Sequence, residues 1–283
     1  MIDISKGRYW DLPWSLVDGC TPCSPGCDHC WSAGMWHRFH GVIPEQRDDK
    51  MALTDLSGRF RGKILTHPER LSIPLKRRKP TVYAVWNDWA HEKVGNRFRS
   101  NMMTQMKRAD RHTYLACTKR PHVMLDFYRW YGLDPPKTLW NGLTVCNQQE
   151  ADEKIPIFLQ VPGKKFLSLE PLLGPVDLGL SLYSFHIPDH FDRDLRKTPA
   201  HESPGIDAVI IGGETGPGAR PMHPDWVRSV RDQCAAAAVP FFLKSLGEWS
   251  LRGNMKTGCE YIHSKDGRLL DGRTHDDLLW VKP

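Results

Sequence analysis

An α/β fold, a parallel sheet covered by helices, is what this sequence predicts, and three observations predict it. Short apolar runs recur six times along the 283 residues, amphipathic stretches with helical spacing lie between them, and polar residues follow directly after most runs. Periodicity leaves open whether the sheet stays flat or curls toward a barrel. In a barrel, chemistry gathers at the C-terminal ends of the strands, which is where those polar residues fall.

In chain order, the runs are Thr81–Trp86 (TVYAVW), Thr113–Cys117 (TYLAC), Leu139–Val145 (LWNGLTV), Lys165–Leu169 (KFLSL), Ala208–Ile211 (AVII) and Pro240–Leu243 (PFFL). Each reads as a buried strand. Helices are expected around Phe98, Met102 and Met106, around Ile155 and Leu159, and around Trp226, Val230 and Cys234 in the segment that opens with Pro224-Asp225. Such Met and aromatic stripes face a core. The polar residues after the runs are Asn87 and Asp88, Lys119 and Arg120, Asn147, Glu170, and Gly212-Gly213-Glu214. Residues 182–206 carry no clear periodicity and are expected to be an inserted loop. Residues 1–249 then form one domain, and the glycine- and charge-rich 250–283 a C-terminal accessory segment.

Composition excludes several classes. With 40% hydrophobic and 25% charged residues the chain is long enough for a substantial core. No run approaches the roughly 18 apolar residues of a membrane span, and the opening MIDISKGRYWDLPW is too polar for a secretory signal. A cytoplasmic protein with no membrane partner is expected. The formal net charge of +6 is compatible with an anionic partner. Its densest patch, Lys76-Arg77-Arg78-Lys79, reads as a solvated surface loop or as a phosphate contact.

Four of the eight cysteines fall in the stretch GCTPCSPGCDHCW, residues 19–31, whose prolines and glycines make it a turning loop. In the cytoplasm thiols stay reduced, so the cluster reads as a metal or redox centre rather than a disulfide framework. Cys23, Cys27 and Cys30 make C-x3-C-x2-C, and Cys20, Cys27 and Cys30 make C-x6-C-x2-C. A structural zinc commonly takes two separated pairs, and no second CxxC follows. Cys117 and Cys146 lie in or beside apolar runs and read as small buried hydrophobes. Three thiolates leave one corner of a cubane iron-sulfur cluster without a protein ligand, where S-adenosylmethionine (SAM) can bind and be cleaved by a delivered electron. His91 and Glu92 have no second histidine at helical spacing, so a zinc-protease reading lacks support.

Trp14 through Ser32, with SPGCDHCW, is followed in order by LTHPERL (65–71), TKRP (118–121), FLSLEPLLGPVDL (166–178), IIGGETGPGARPMHPDW (210–226) and FFLKSLGEW (241–249). This series resembles the phage-encoded family of three-Cys-motif, radical-SAM-like proteins. The resemblance implies a partial (β/α)6 TIM-like barrel of the radical SAM type, a [4Fe-4S] cluster, SAM, and an electron donor such as flavodoxin or ferredoxin. Family members usually show C-x6-C-x2-C with an apolar residue where this chain has Cys23, so the third ligand beside Cys27 and Cys30 is Cys20 by the family pattern and Cys23 by the spacing common in other radical SAM enzymes.

The resemblance also implies a substrate. It reaches to a radical SAM isomerase of phage DNA hypermodification, which moves a thyminylmethyl group from the nitrogen of an attached glycinyl group to its alpha carbon. A modified DNA or modified thymidine nucleotide is then the partner, and a base within a duplex would have to be flipped out. A DNA-lesion lyase is the alternative within the same chemistry, and a zinc-binding nucleic-acid module the alternative outside it. In this reading Asn87, Asp88, Gly212, Gly213 and Glu214 contact cofactor, and Lys119, Arg120 and Glu170 act on substrate, the two cations as holders of a carboxylate or phosphate.

Overall fold

The structure, a computed structural model, describes residues 2–40, 53–179, 205–254, 258–263 and 267–280. Its centre is a seven-stranded, fully parallel sheet curled into a half-barrel. The strands run in the order β1 (Leu12–Ser15), β4 (Val82–Trp86), β5 (Thr113–Thr118), β6 (Leu139–Thr144), β7 (Lys164–Leu169), β8 (Ala208–Gly212) and β9 (Phe241–Ser245). All six expected runs are strands, and β1 adds a seventh where a six-stranded barrel was expected. A two-stranded ribbon pairs β2 (Val17–Asp18) with β3 (Leu65–Thr66), and β10 (Trp249–Asn254) pairs antiparallel with β11 (Gly258–His263).

The helices are α1 (Trp31–His40), a single turn α2 (Ile73–Lys76), α3 (Asn96–Arg108), α4 (Pro121–Tyr131), α5 (Gln148–Leu159) and α6 (Pro224–Ala236). The three expected stripes lie on α3, α5 and α6. Of their residues Met102, Met106, Ile155, Val230 and Cys234 are fully buried. Spacing analysis did not single out α1 or α4. In α4, Pro121 supplies the preset φ of a first helical position, and Met124, Leu125, Phe127 and Tyr128 form its buried stripe.

Alternation of side chains along each strand divides the core in two. On the convex face Tyr83, Val85, Tyr114, Ala116, Leu143, Leu167 and Val209 pack under the helices. On the concave face Val82, Leu115, Trp140, Phe166, Ala208, Ile210 and Phe242 make a second cluster. Both chain ends close that concave side. Tyr9 stands edge-on to Phe242 at 5.8 Å, Trp280 packs on Trp140 at 4.7 Å, and the Trp280 indole donates to the Tyr9 carbonyl at 2.9 Å. The C-terminal turn around Leu278 and Trp280 is thus part of the barrel interior. The expected insertion at 182–206 falls almost wholly outside the described residues. No described helix is long and apolar enough to cross a membrane.

Candidate functional site

Carried two residues further along each strand, the same alternation decides which side chains reach the mouth of the half-barrel. After the apolar layer the inward positions become Trp86 on β4, Cys117 and then Lys119 on β5, Thr144 on β6, Ser168 and then Glu170 on β7, and Lys244 on β9. Together with Cys20, Cys23, Cys27 and Cys30, these residues line a cavity of about 500 Å³.

The cysteine loop covers one side of this mouth. Gly19 opens it at φ +86, and a side chain there would collide with the Lys63 carbonyl, so glycine is required. Ser24 caps the short turn Pro25–Cys27 by accepting from the Gly26 N–H at 3.1 Å. The loop then runs directly into α1.

Two arginines clamp the loop from opposite sides. Arg120, buried, donates to the Thr21 carbonyl at 2.6 Å and to Cys20 Sγ at 3.8 Å, while pairing with Asp88 and with Glu92 at 2.9 Å. His91 Nε2 lies 2.9 Å from Thr21 Oγ1, and Lys93 Nζ donates to the Gly62 carbonyl at 2.5 Å. On the far side Arg220 donates to the Pro25 carbonyl at 2.8 Å and grips Glu214 at 2.6 and 2.9 Å; His29 Nδ1 also lies 3.1 Å from Glu214. The Arg220 guanidinium and backbone amide hold the Glu214 carboxyl below its ordinary value against the effect of burial.

All four loop thiols are free. Cys27 Sγ accepts from the Cys23 thiol and from the backbone N–H groups of Cys23 and Ser24. That hydrogen bond from Cys23, helped by Lys119, brings its pKa down to about 6 although burial opposes it. The Cys30 thiol is raised by burial while its sulfur accepts from the N–H groups of Ala33 and Ser32 in the first turn of α1. Burial, with Asp88 nearby, pushes Cys20 up to about 12, and Arg120 opposes the rise. Among the described residues no three His, Cys, Asp or Glu side chains are already gathered for a metal ion. What fits a thiolate-held group is the donor set: thiols on one loop, with backbone N–H groups aimed at two of the sulfurs.

The remaining expected site residues divide into two groups. Asn87 adopts φ +59, which asparagine tolerates; it accepts from Ser32 Oγ at 2.6 Å and donates to the Val17 carbonyl at 2.7 Å, tying α1 to β2. Asp88 accepts from Thr118 Oγ1 at 2.5 Å and from Arg120. Asn87, Asp88, Arg120 and Glu214 are therefore engaged with the protein itself. A Cβ on Gly212 would crowd Glu170, and one on Gly213 would meet the Leu246 backbone, so both glycines serve close packing here.

Lys119 is different, and Glu170 is engaged with Tyr9, Ser168 and Lys244. Among the described residues Lys119 makes no hydrogen bond or ion pair. Burial works against its charge, but Cys27, Cys117 and Cys30 together hold its pKa above the ordinary lysine value. Glu170 accepts from Tyr9 Oη at 2.8 Å, and Lys244 Nζ stands 2.7 Å from its Oε1, an ion pair not aligned as a directed hydrogen bond.

Several participants escaped the sequence reading. Tyr9, Trp10, His29, Arg220 and Lys244 reach the site through the fold, and only Lys244 carried a local signal, being a charged residue on the inward register two positions after Phe242. Cys117 corrects an expectation. It is half-buried and lines the cavity, with Sγ 3.0 Å from Thr144 Oγ1, because its strand position faces inward at the mouth. Cys146 is buried as expected and donates to Glu150 at 3.0 Å. Lys76–Lys79 lies in the exposed turn before β4, at the N-terminal end of the barrel and opposite the site.

Comparisons with curated proteins and with solved structures return no match. A family model described as "Protein of unknown function (DUF5131)" matches residues 5–279, from the segment ahead of β1 to the C-terminal turn against the barrel interior. That match takes in the cysteine loop, both clamps and every strand of the half-barrel, and the chain belongs to the DUF5131 family.

Proposed function

We propose that this chain is a radical SAM enzyme whose cysteine loop holds a [4Fe-4S] cluster at the mouth of the half-barrel. The observation that carries this reading is the loop itself: free thiols clamped over a barrel mouth, with backbone N–H groups directed at the sulfurs of Cys27 and Cys30. Cys20 is the third ligand in this proposal. It shares with Cys27 and Cys30 the lining of both the inner cavity and a neighbouring outer cleft, whereas Cys23 lines the inner cavity alone. When bound, the cluster supplies the electron that cleaves SAM to a 5'-deoxyadenosyl radical, with flavodoxin or ferredoxin as the donor class.

The chain's own residues do the rest. Arg120 and Arg220 fix the loop, so that the sulfurs stay at the mouth when the site opens to ligand. Lys119, with no hydrogen-bond or ion-pair partner among the described residues, offers its ammonium to a carboxylate or phosphate on the substrate. Glu170, paired with Lys244 and held by Tyr9, would take a substrate amine in the place that the Lys244 ammonium fills. An ammonium and a carboxylate facing one cavity suit an amino-acid-bearing ligand, which supports the substrate implied by the sequence resemblance: a thymidine carrying an N-linked glycinyl group, isomerised to the carbon-linked amino acid during phage DNA hypermodification.

Incubation of the anaerobically reconstituted protein with SAM and a reductant tests the reaction class. 5'-Deoxyadenosine is the expected product. With DNA carrying the N-linked modification, nucleoside mass spectrometry should show a product of unchanged mass and shifted retention. A cleaved lesion would favour a lyase instead.

A further inference from the structure

The cavity mouth carries a feature that neither the cysteines nor Lys119 and Glu170 require. Three indoles stand in a row along its rim: Trp31 packs edge-on to Trp86 at 5.0 Å and 71°, and Trp86 edge-on to Trp10 at 5.8 Å and 86°. All three line the inner cavity. Trp31 is 57% exposed, an unusual state for the largest apolar side chain when a core lies beside it. Edge-on packing leaves ring face available for a planar ligand.

Trp31 also lines the outer cleft, of about 600 Å³, together with His37, Arg38 and Arg59. Arg38 is exposed and has no ion-pair partner among the described residues; Arg59 reaches Asp28 only at 3.5 Å. At the other end of the row the Arg8 guanidinium lies 5.3 Å from the Trp10 ring centre. Asp28 lines the same cleft and offsets one of these cations; two arginines beside an aromatic row at the entrance to a cavity suit an unpaired polynucleotide, since phosphates follow the cations and a base stacks on an indole.

We propose that the outer cleft is a single-stranded DNA site, in which the backbone passes Arg38 and Arg59 and one unpaired base stacks on Trp31 before entering the inner cavity. The ligand is then a polymer and not a free nucleotide, because the cations for its flanking phosphates lie outside the cavity that receives the base. This rests on the proposed function for what happens to the base, but binding itself requires neither cluster nor SAM.

Fluorescence anisotropy of a labelled twelve-residue oligothymidylate with the full-length protein, before iron is added, tests the site. Stacking on a single aromatic accounts for about tenfold in affinity or more, so Trp31→Ala should weaken binding by at least that factor and Trp31→Phe should restore most of it. The double variant Arg38→Ala, Arg59→Ala should bind less tightly with a flatter salt dependence, while Arg78→Ala at the opposite end of the barrel should bind as the parent does. Unchanged affinity in Trp31→Ala, a duplex that binds as well as the single strand, or thymidine monophosphate competing as effectively per site as the oligomer would each overturn the proposal. Loss of DNA binding with intact SAM cleavage sinks this inference alone, and retained DNA binding by a protein that takes up no cluster sinks the proposed function alone.

Discussion

Arg120 shows how much of the site depends on single side chains. Its guanidinium is buried between Asp88, Glu92, the Thr21 carbonyl and Cys20 Sγ, so its hydrogen bonds go to the loop and the scaffold at the edge of the cavity it lines. Replacing it with methionine strands the buried Asp88 carboxylate, which costs about 3–5 kcal/mol in comparable cases. Urea denaturation of Arg120→Met should show a loss of that size. A loss below about 1 kcal/mol would mean that the clamp bears no load. On the concave face, Gly142 lies against the Phe166 ring, and a Cβ there would come within 2.7 Å of Cε1. Gly142→Ala should therefore destabilise the fold by about 1–3 kcal/mol, measured the same way. Lys119 and Arg120 are adjacent and chemically alike, and sequence reading gave them one role. The fold separates them by strand alternation, which turns one into the cavity and the other back toward the loop.

At the scale of elements, the best-read parts were those with strong local patterns. The six apolar runs became strands within a residue or two, and the stripes on α3, α5 and α6 face the core, because burial on both faces of a parallel sheet leaves a clear record in sequence. The clamps left none. Arg220 is 195 residues from Pro25, and nothing local in either segment signals their hydrogen bond. A second long-range tie joins α6 to the C-terminal turn: Arg228 Nη2 donates to Asp271 at 2.7 Å and Arg231 Nη1 at 3.0 Å. These two arginines bring the Asp271 carboxyl down to about 2 from the ordinary 3.8. A carboxyl depressed on folding stabilises the protein above its unfolded pKa and loses that contribution as pH falls through the folded one. Stability should thus decline between about pH 4 and pH 2 through this tie, and Asp271→Asn should remove that part of the decline. Thermal unfolding of both proteins from pH 5 to pH 2.5 checks it; curves that stay parallel would show that the tie contributes nothing.

For the whole molecule, the half-barrel explains why chemistry-bearing residues so distant in sequence share one cavity. Parallel strands all end at the same rim, so Lys119, Glu170, Glu214 and Lys244 converge there, and the loop after β2 closes over them. Sequence made this rim legible as five polar strand ends. It did not show that Asn87, Asp88 and Glu214 spend their hydrogen-bonding capacity on the scaffold, since that depends on partners supplied by other elements. Nor did it show that both termini fill the concave side, because Tyr9 and Trp280 meet only after the sheet has curled.

The proposed function requires three cysteines that hold an iron-sulfur cluster and leave one iron open to SAM. Iron and acid-labile sulfide should be quantified after anaerobic reconstitution of the parent and of the Cys20→Ala, Cys23→Ala, Cys27→Ala and Cys30→Ala variants. About four irons and four sulfides per chain are expected in the parent and in Cys23→Ala, with loss in the other three variants. A colourless protein holding one zinc through all four thiolates, or a loop whose cysteines are joined as disulfides, would contradict it.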